Sequence, residues 1–239
     1  MKKAIEEFSG QNLYGDSVSF HTVHYRFEFE HDAEWLKQVY HRGIELMHAV
    51  HPGAANESNR DRSKRKIEID CVAGILAEQC WKNYLNKMAG EKRITETEFR
   101  GAATQIDLKI KGTDKKIEVR SSFPRNGIQF AIFNTRYQFD ILGPYDNRVK
   151  KGEVQKDFYV RVLYPFDANI FFEKFKGTLD VYLTGGATWA MMQDKRYYKI
   201  KDLTERNMSL SEYEKSTYRV IPMSLALDTP QIAEMILNG

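Results

Sequence analysis

Cysteine is scarce, with Cys71 and Cys80 the only two in 239 residues. Both fall in one helical stretch, so no disulfide framework or zinc motif is available, and a reducing cytosol fits. Long apolar runs are missing too, none approaching the roughly 18 residues of a membrane span. The opening MKKAIEEFSGQNLYG carries acids where an export signal would be apolar. A cytoplasmic protein without a membrane partner is the expectation. Phosphate-binding glycine loops, dinucleotide glycine patterns and nucleophile elbows do not occur. His48 and His51 share a helix end, but no third ligand accompanies them. No internal repeat or low-complexity tract appears. Charge is nearly balanced at +3, too mild to mark a nucleic-acid binder by its sum, so the placement of the charges matters more.

What is present is a chain long enough to bury a real core. VSFHTVHYRFEFE alternates as a strand, and DAEWLKQVYHRGIELMHAV has helical spacing with Asp32 as its N-cap. The segment from His51 to Lys66 is polar and basic without periodicity and reads as a loop. A strong helix follows from about Asp70 to Met88, closed by Gly90. Asp157–Phe166 and Leu179–Gly186 read as strands, and ATWAMMQDKRYYKI as a short helix and a strand. TPQIAEMILNG reads as a helix with Thr229 as N-cap and Pro230 in its first turn. Phe123 to Gly143 fits helix and strand equally. The sum is an α/β or α+β chain around a mixed central sheet.

The stretch TQIDLKIKGTDKKIEVRSS, Thr104 to Ser122, reads as a hairpin turning at Gly112-Thr113. That register sets Ile106 against Val119 and Leu108 against Ile117, which are good apolar pairs. The other face sets Asp107 against Glu118, Gln105 against Arg120 and Lys109 against Lys116. Opposed carboxylates repel unless a cation lies between them. The same charges also read as a solvated hairpin face. Upstream, Glu78 sits in a helix that is apolar all round from Cys71 to Ala77, where a carboxylate needs a partner or a metal; an exposed edge beside Gln79, Lys82 and Asn83 is the alternative. Downstream, VRSSFPRNG offers Arg120, Ser121, Ser122 and Arg125 in a loop suited to phosphate oxygens.

Together these residues resemble the PD-(D/E)xK nuclease superfamily, which includes many type II restriction endonucleases. The pattern here is Ile106-Asp107, a hairpin turn, then Glu118-Val119-Arg120, with Gly74 to Glu78 similar to the family's acid-bearing upstream helix. The resemblance covers about Asp70 to Phe166. Ile106 stands where the family has proline, and Arg120 where it has lysine. The resemblance implies a restriction-endonuclease-like mixed sheet flanked by helices and a single nuclease-like domain over residues 1–239. Within it, 1–66 would be an N-terminal helical and basic segment, 67–166 the catalytic core and 167–239 a C-terminal recognition or structural part. It further implies a Mg²⁺-dependent DNA endonuclease, with Mn²⁺ as substitute, acting on double-stranded DNA as a homodimer. Asp107, Glu118 and Glu78 would hold the metal. Arg120 can hold water or the scissile phosphate but is too basic to act as general base.

Further candidate DNA contacts are Arg60, Arg62, Lys64 and Arg65 in the first basic loop, and Arg148, Lys150 and Lys151 in YDNRVKKGEVQKD. Gln129 is a candidate base reader. LTGGATWAMMQDKRYY, with a Gly-Gly turn, reads as a groove-entering segment or as core. Two other classes stay open: a non-cleaving DNA-binding protein on the same fold, and a cytosolic α/β domain whose hairpin charges are only solvated.

Overall fold

The computed structural model describes residues 1–50, 63–99, 105–133, 139–146, 154–202 and 217–238. Arg60, Arg62, Arg148, Lys150 and Lys151 lie outside them. The chain opens with a long hairpin, β1 (Lys2–Gln11) and β2 (Ser17–Glu28), followed by helices α1 (Phe29–Ala49) and α2 (Lys64–Ala89). Then come β3 (Ile94–Glu96), β4 (Leu108–Ile110), β5 (Lys116–Ser122), the short helix α3 (Ile128–Phe133), β6 (Ile141–Asp146) and β7 (Phe158–Leu163). The last part holds α4 (Phe171–Phe175), β8 (Thr178–Thr188), α5 (Trp189–Gln193), β9 (Lys199–Asp202), β10 (Thr217–Ile221) and α6 (Thr229–Asn238).

Seven strands form one mixed sheet in the order β1-β2-β8-β7-β5-β4-β3, flanked by helices, and β6-β10-β9 form a second sheet. Every pairing is antiparallel except β5 with β7, which run parallel through the crossover containing α3. The boundaries expected at 66 and 166 do not separate sheets, since the seven strands come from all three segments. The core lies between the sheet and α2, where Val72, Leu76, Trp81 and Leu85 are fully buried with Leu108, Ile117, Val160, Val162, Val181 and Leu183. That packing explains why α2 is apolar on several sides at once. Among the described residues, no helix is long and apolar enough to cross a membrane.

Several boundaries differ from the sequence reading. β1, in a polar opening stretch, is a full strand because β2 supplies its partner. Helix α2 begins at Lys64, not near Asp70, since Ser63 caps it by accepting from the Lys66 N–H. Lys64 and Arg65 therefore belong to a helix and not to a loop. Gly90 ends it in the left-handed conformation, as expected. Helix α1 starts at Phe29, and Asp32 reaches back from inside to accept from the Glu28 N–H at 3.0 Å. Helix α6 is capped by Asp228 and not Thr229: Asp228 and Gln231 exchange reciprocal bonds of 3.0 Å each. Thr229 serves the sheet instead, donating to the Leu183 carbonyl at 2.6 Å and accepting from the Gly185 N–H at 2.9 Å.

The Gly-Gly pair lies inside β8 and forms no turn. Val160 pairs with Gly186 while Val162 pairs with Leu183, so β8 carries a bulge at Thr184-Gly185. Gly185 has φ 79°, and a Cβ there would stand 2.1 Å from the Leu227 carbonyl oxygen. Only glycine meets both conditions. Replacing Gly185 with alanine is expected to cost about 2 kcal/mol or more, because backbone strain and displacement of the 227–229 segment add. Urea unfolding of the variant against the parent checks this; an unchanged midpoint would refute it.

Candidate active site

The hairpin forms in the register the sequence predicts, with Leu108 opposite Ile117 and Lys109 opposite Lys116. Gly112 adopts φ 79° in the turn, and the Thr113 N–H donates to the Ile110 carbonyl at 3.2 Å. Leu108, Ile117 and Val119 join the core cluster with α2, and Glu118 alternates with Ile117 and Val119 along β5. Both carboxylates are buried, at 8% and 4% relative exposure, which rules out the solvated-face reading. β4 begins only at Leu108. One step before it, Asp107 Oδ2 accepts from the Val119 N–H at 2.7 Å, so a side chain supplies the acceptor for that group of β5.

Glu118 is held between two cations. Arg120 Nη2 lies 2.5 Å from Oε1, and Lys156 Nζ lies 2.9 Å from Oε2. Arg120 is partly exposed, whereas Lys156 is 1% exposed. The backbone fixes where Lys156 sits. Asp157 exchanges two bonds with the first residue of β5, donating its N–H to the Lys116 carbonyl at 3.0 Å and accepting from the Lys116 N–H at 2.8 Å. The Trp189 N–H binds the Asp157 carbonyl at 2.8 Å, and the Lys156 N–H donates to the Tyr159 hydroxyl at 3.2 Å. Parallel pairing then sets Glu118 beside Tyr159 and Arg120 beside Arg161. Arg161 is itself buried and donates from Nη2 to Ser122 Oγ at 2.7 Å.

Burial first, and then the charge of Glu118, pushes the Asp107 carboxyl up to about 7, against the opposing pull of the Val119 N–H, Arg120 and Lys156. Burial, and then the charge of Asp107, also holds Glu78 well above the usual carboxylate range. Glu78 is thus within electrostatic reach of the pair from α2. Among the described residues, no group of three His, Cys, Asp or Glu side chains is arranged to hold a metal ion. The donors that suit a hard divalent cation are the Asp107 and Glu118 oxygens. Asp107 resists ionising beside Glu118, whose two oxygens are already paired with Arg120 and Lys156. The raised Asp107 carboxyl fits a site that a further cation would relieve.

The remaining candidates scatter. Gln129 gives its amide to the Ser9 carbonyl at 2.9 Å, which makes it a tie between α3 and β1. Arg125 pairs with Asp167 at 3.0 Å on the surface. Arg65 pairs with Glu68 at 3.2 Å and lies over the Phe172 ring, while Lys64 is exposed. Ser121 stays on β5 beside the site. Sequence reasoning missed Lys156, Tyr159 and Arg161. A lone arginine inside the apolar run FYVRVLYPF was a signal for Arg161. Lys156 had none, since it closes a basic stretch and reaches Glu118 only through strand pairing. No protein-family model, no curated protein and no solved structure matches the chain.

Asp107 binds its proton more tightly folded than unfolded, so folding stability falls as pH rises from its ordinary value near 3.8 toward about 7. Asp107→Asn keeps an acceptor for Val119 and removes the buried charge. The variant is expected to gain at least about 1 kcal/mol relative to the parent at pH 8 and little at pH 4. Thermal melts at the two pH values check this, and an equal difference at both would refute it. If the pair holds a divalent cation, Mg²⁺ or Mn²⁺ should raise the parent's melting temperature at pH 8 more than at pH 5 and leave the variant's unchanged.

Proposed function

We propose that this chain is a divalent-cation-dependent endonuclease of the restriction type, hydrolysing phosphodiester bonds of double-stranded DNA. The observation that carries the reading is a buried, electrostatically coupled pair of carboxylates, Asp107 and Glu118, with two cationic side chains on Glu118. The helix, hairpin and strand that carry the resemblance appear as α2, β4–β5 and β7 around this pair, which supports it further.

Asp107 and Glu118 would hold Mg²⁺, with Glu78 biasing the field behind them. A bound divalent cation supplies charge neutralisation at the phosphate and lowers the pKa of water. The chain's own part is positioning. Arg120 keeps its charge at every working pH and turns a forked donor toward Glu118, ready to share it with a phosphate oxygen. It cannot take a proton. Lys156 brings a primary amine to the other oxygen of the same carboxylate, and an amine can hold an attacking water. The lysine absent from the second position after Glu118 is thereby offset by one arriving from the segment that leads into β7. Arg161 and Ser122 hold the neighbouring stretch of β5 and β7 in place.

One observation favours a second reading, a DNA-binding protein that does not cut. Both Glu118 oxygens already face cations, so the cluster is close to self-neutral. Plasmid DNA incubated with Mg²⁺, Mn²⁺ or chelator and read on a gel separates the two. Nicked or linear product only with the metal supports the nuclease, and salt-sensitive retention without cleavage supports the second reading.

If the nuclease reading holds, Lys156→Ala and Arg120→Ala should each lower turnover by about 10² to 10⁴, the range for a positioned catalytic side chain. Arg120→Lys should keep substantial activity. Wild-type cleavage that survives both alanine substitutions, in variants with unchanged circular dichroism, would remove these two residues from the mechanism.

A further inference from the structure

β1 is the end strand of the seven-stranded sheet, paired only with β2 among the described residues. Its hydrogen-bonding sides can be assigned residue by residue. The Glu6 carbonyl accepts from Thr22 Oγ1 of β2 at 3.5 Å and so points inward. The Ser9 carbonyl accepts from Gln129 of α3 at 2.9 Å and so points outward. In an antiparallel strand the sides alternate, with each residue's N–H and C=O on one side. Lys3, Ile5 and Glu7 therefore present their backbone groups at the open edge, and α3 covers that edge from Ser9 onward. Ile5 is 60% exposed, next to the fully buried Val23.

Exposed edges normally carry charge to repel other strands. Here the charges are ordered, with Lys2 and Lys3 before Ile5 and Glu6 and Glu7 after it. A two-fold axis perpendicular to the sheet keeps each residue on its own face, so residues of like parity must oppose one another. Centring the axis on Ile5 sets Ile5 against Ile5 of the second copy and Lys3 against its Glu7, twice. All three outward residues then make hydrogen-bonded pairs. Centring on Lys3 opposes lysines, centring on Glu7 opposes glutamates, and centring on Ala4 or Glu6 opposes Ile5 to a charge.

We propose that a second copy of this chain adds across β1 by antiparallel pairing of Lys2–Phe8 about a two-fold axis at Ile5, joining two seven-stranded sheets into one. Charge order selects the chain's own copy over other strands, because only a strand with the reverse order of charges offers two attractive pairs around an apolar centre. The free length fits the partner. With this centre Phe8 meets Lys2, and pairing stops where Gln129 already occupies Ser9. The inference stands on the strand edge alone and does not depend on the nuclease reading.

Sedimentation of the full-length chain across micromolar to sub-millimolar concentrations should show the mass of two chains. Ile5→Pro removes one outward N–H and is compatible with an edge strand; it should give the mass of one chain with unchanged circular dichroism. Lys3→Glu turns two attractive pairs repulsive and should weaken association roughly tenfold or more. The double variant Lys3→Glu with Glu7→Lys should restore it, which a merely structural effect would not. Ile5→Cys should oxidise to a covalent dimer, since Cα atoms of a hydrogen-bonded pair lie about 5.5 Å apart, within disulfide range, and both native cysteines are buried. Ala4→Cys should not. A monomer at all concentrations, a dimer indifferent to Lys3→Glu, or a cross-link at Ala4 in place of Ile5 would each overturn the proposal.

Discussion

The parallel pairing of β5 with β7 is the contact on which the rest of the site depends. Among the described residues it is the one parallel pair in a sheet otherwise built of antiparallel neighbours. Parallel strands need a crossover, and this one runs out through α3 and the second sheet before returning. Its return brings Asp157 onto the first residue of β5 and Lys156 onto Glu118. Without that register the Glu118 charge would be buried against Asp107 with only Arg120 to answer it. A buried carboxylate pair missing one of its cations is costly enough to reshape the strand or keep its proton.

The charges are balanced unevenly. Arg120 and Lys156 both lean on Glu118, while Asp107 is held by a backbone N–H and pays for its burial with a raised pKa. Such asymmetry separates two carboxylates that look equivalent on the hairpin. One is already paired with two cations, and the other changes its charge near pH 7. Perturbed groups of this kind concentrate at functional sites, although buried ion networks produce them too.

The opposite half of the sheet is held differently. Glycine at 185 lets β8 bulge, and the bulge hands its backbone to Leu227 and Thr229, docking α6 on the sheet. Farther out, His24 bridges Glu6 at 2.6 Å and Asp180 at 2.7 Å while stacked on Tyr182, so β1 is fastened to β8 through β2. The two carboxylates hold the imidazole above its ordinary pKa despite its burial. β1 keeps an unbroken register with β2 along its whole length, the condition under which its outer edge can meet another strand.

The hairpin register, the turn at Gly112, the apolar character of α2 and its stop at Gly90 were legible from the sequence, because each rests on neighbours a few residues apart. The closeness of Asp107 to the Glu118 segment follows from the same turn, although the ladder stops at Leu108 and Asp107 meets β5 through its side chain. Helix starts were less legible: Ser63 and Asp228 cap with side chains whose choice depends on the surrounding fold. β1 was hidden because a polar strand is specified by its partner, and the Gly-Gly pair looked like a turn until β7 supplied the strand it bulges against. Lys156 and Arg161 lie far along the chain from Glu118 and Ser122, and no local pattern encodes a pairing over that distance. Local sequence determined the two acids. Only the parallel pairing of distant strands decided which cations meet them, since that contact is formed by closing a long loop and not by any spacing along the chain.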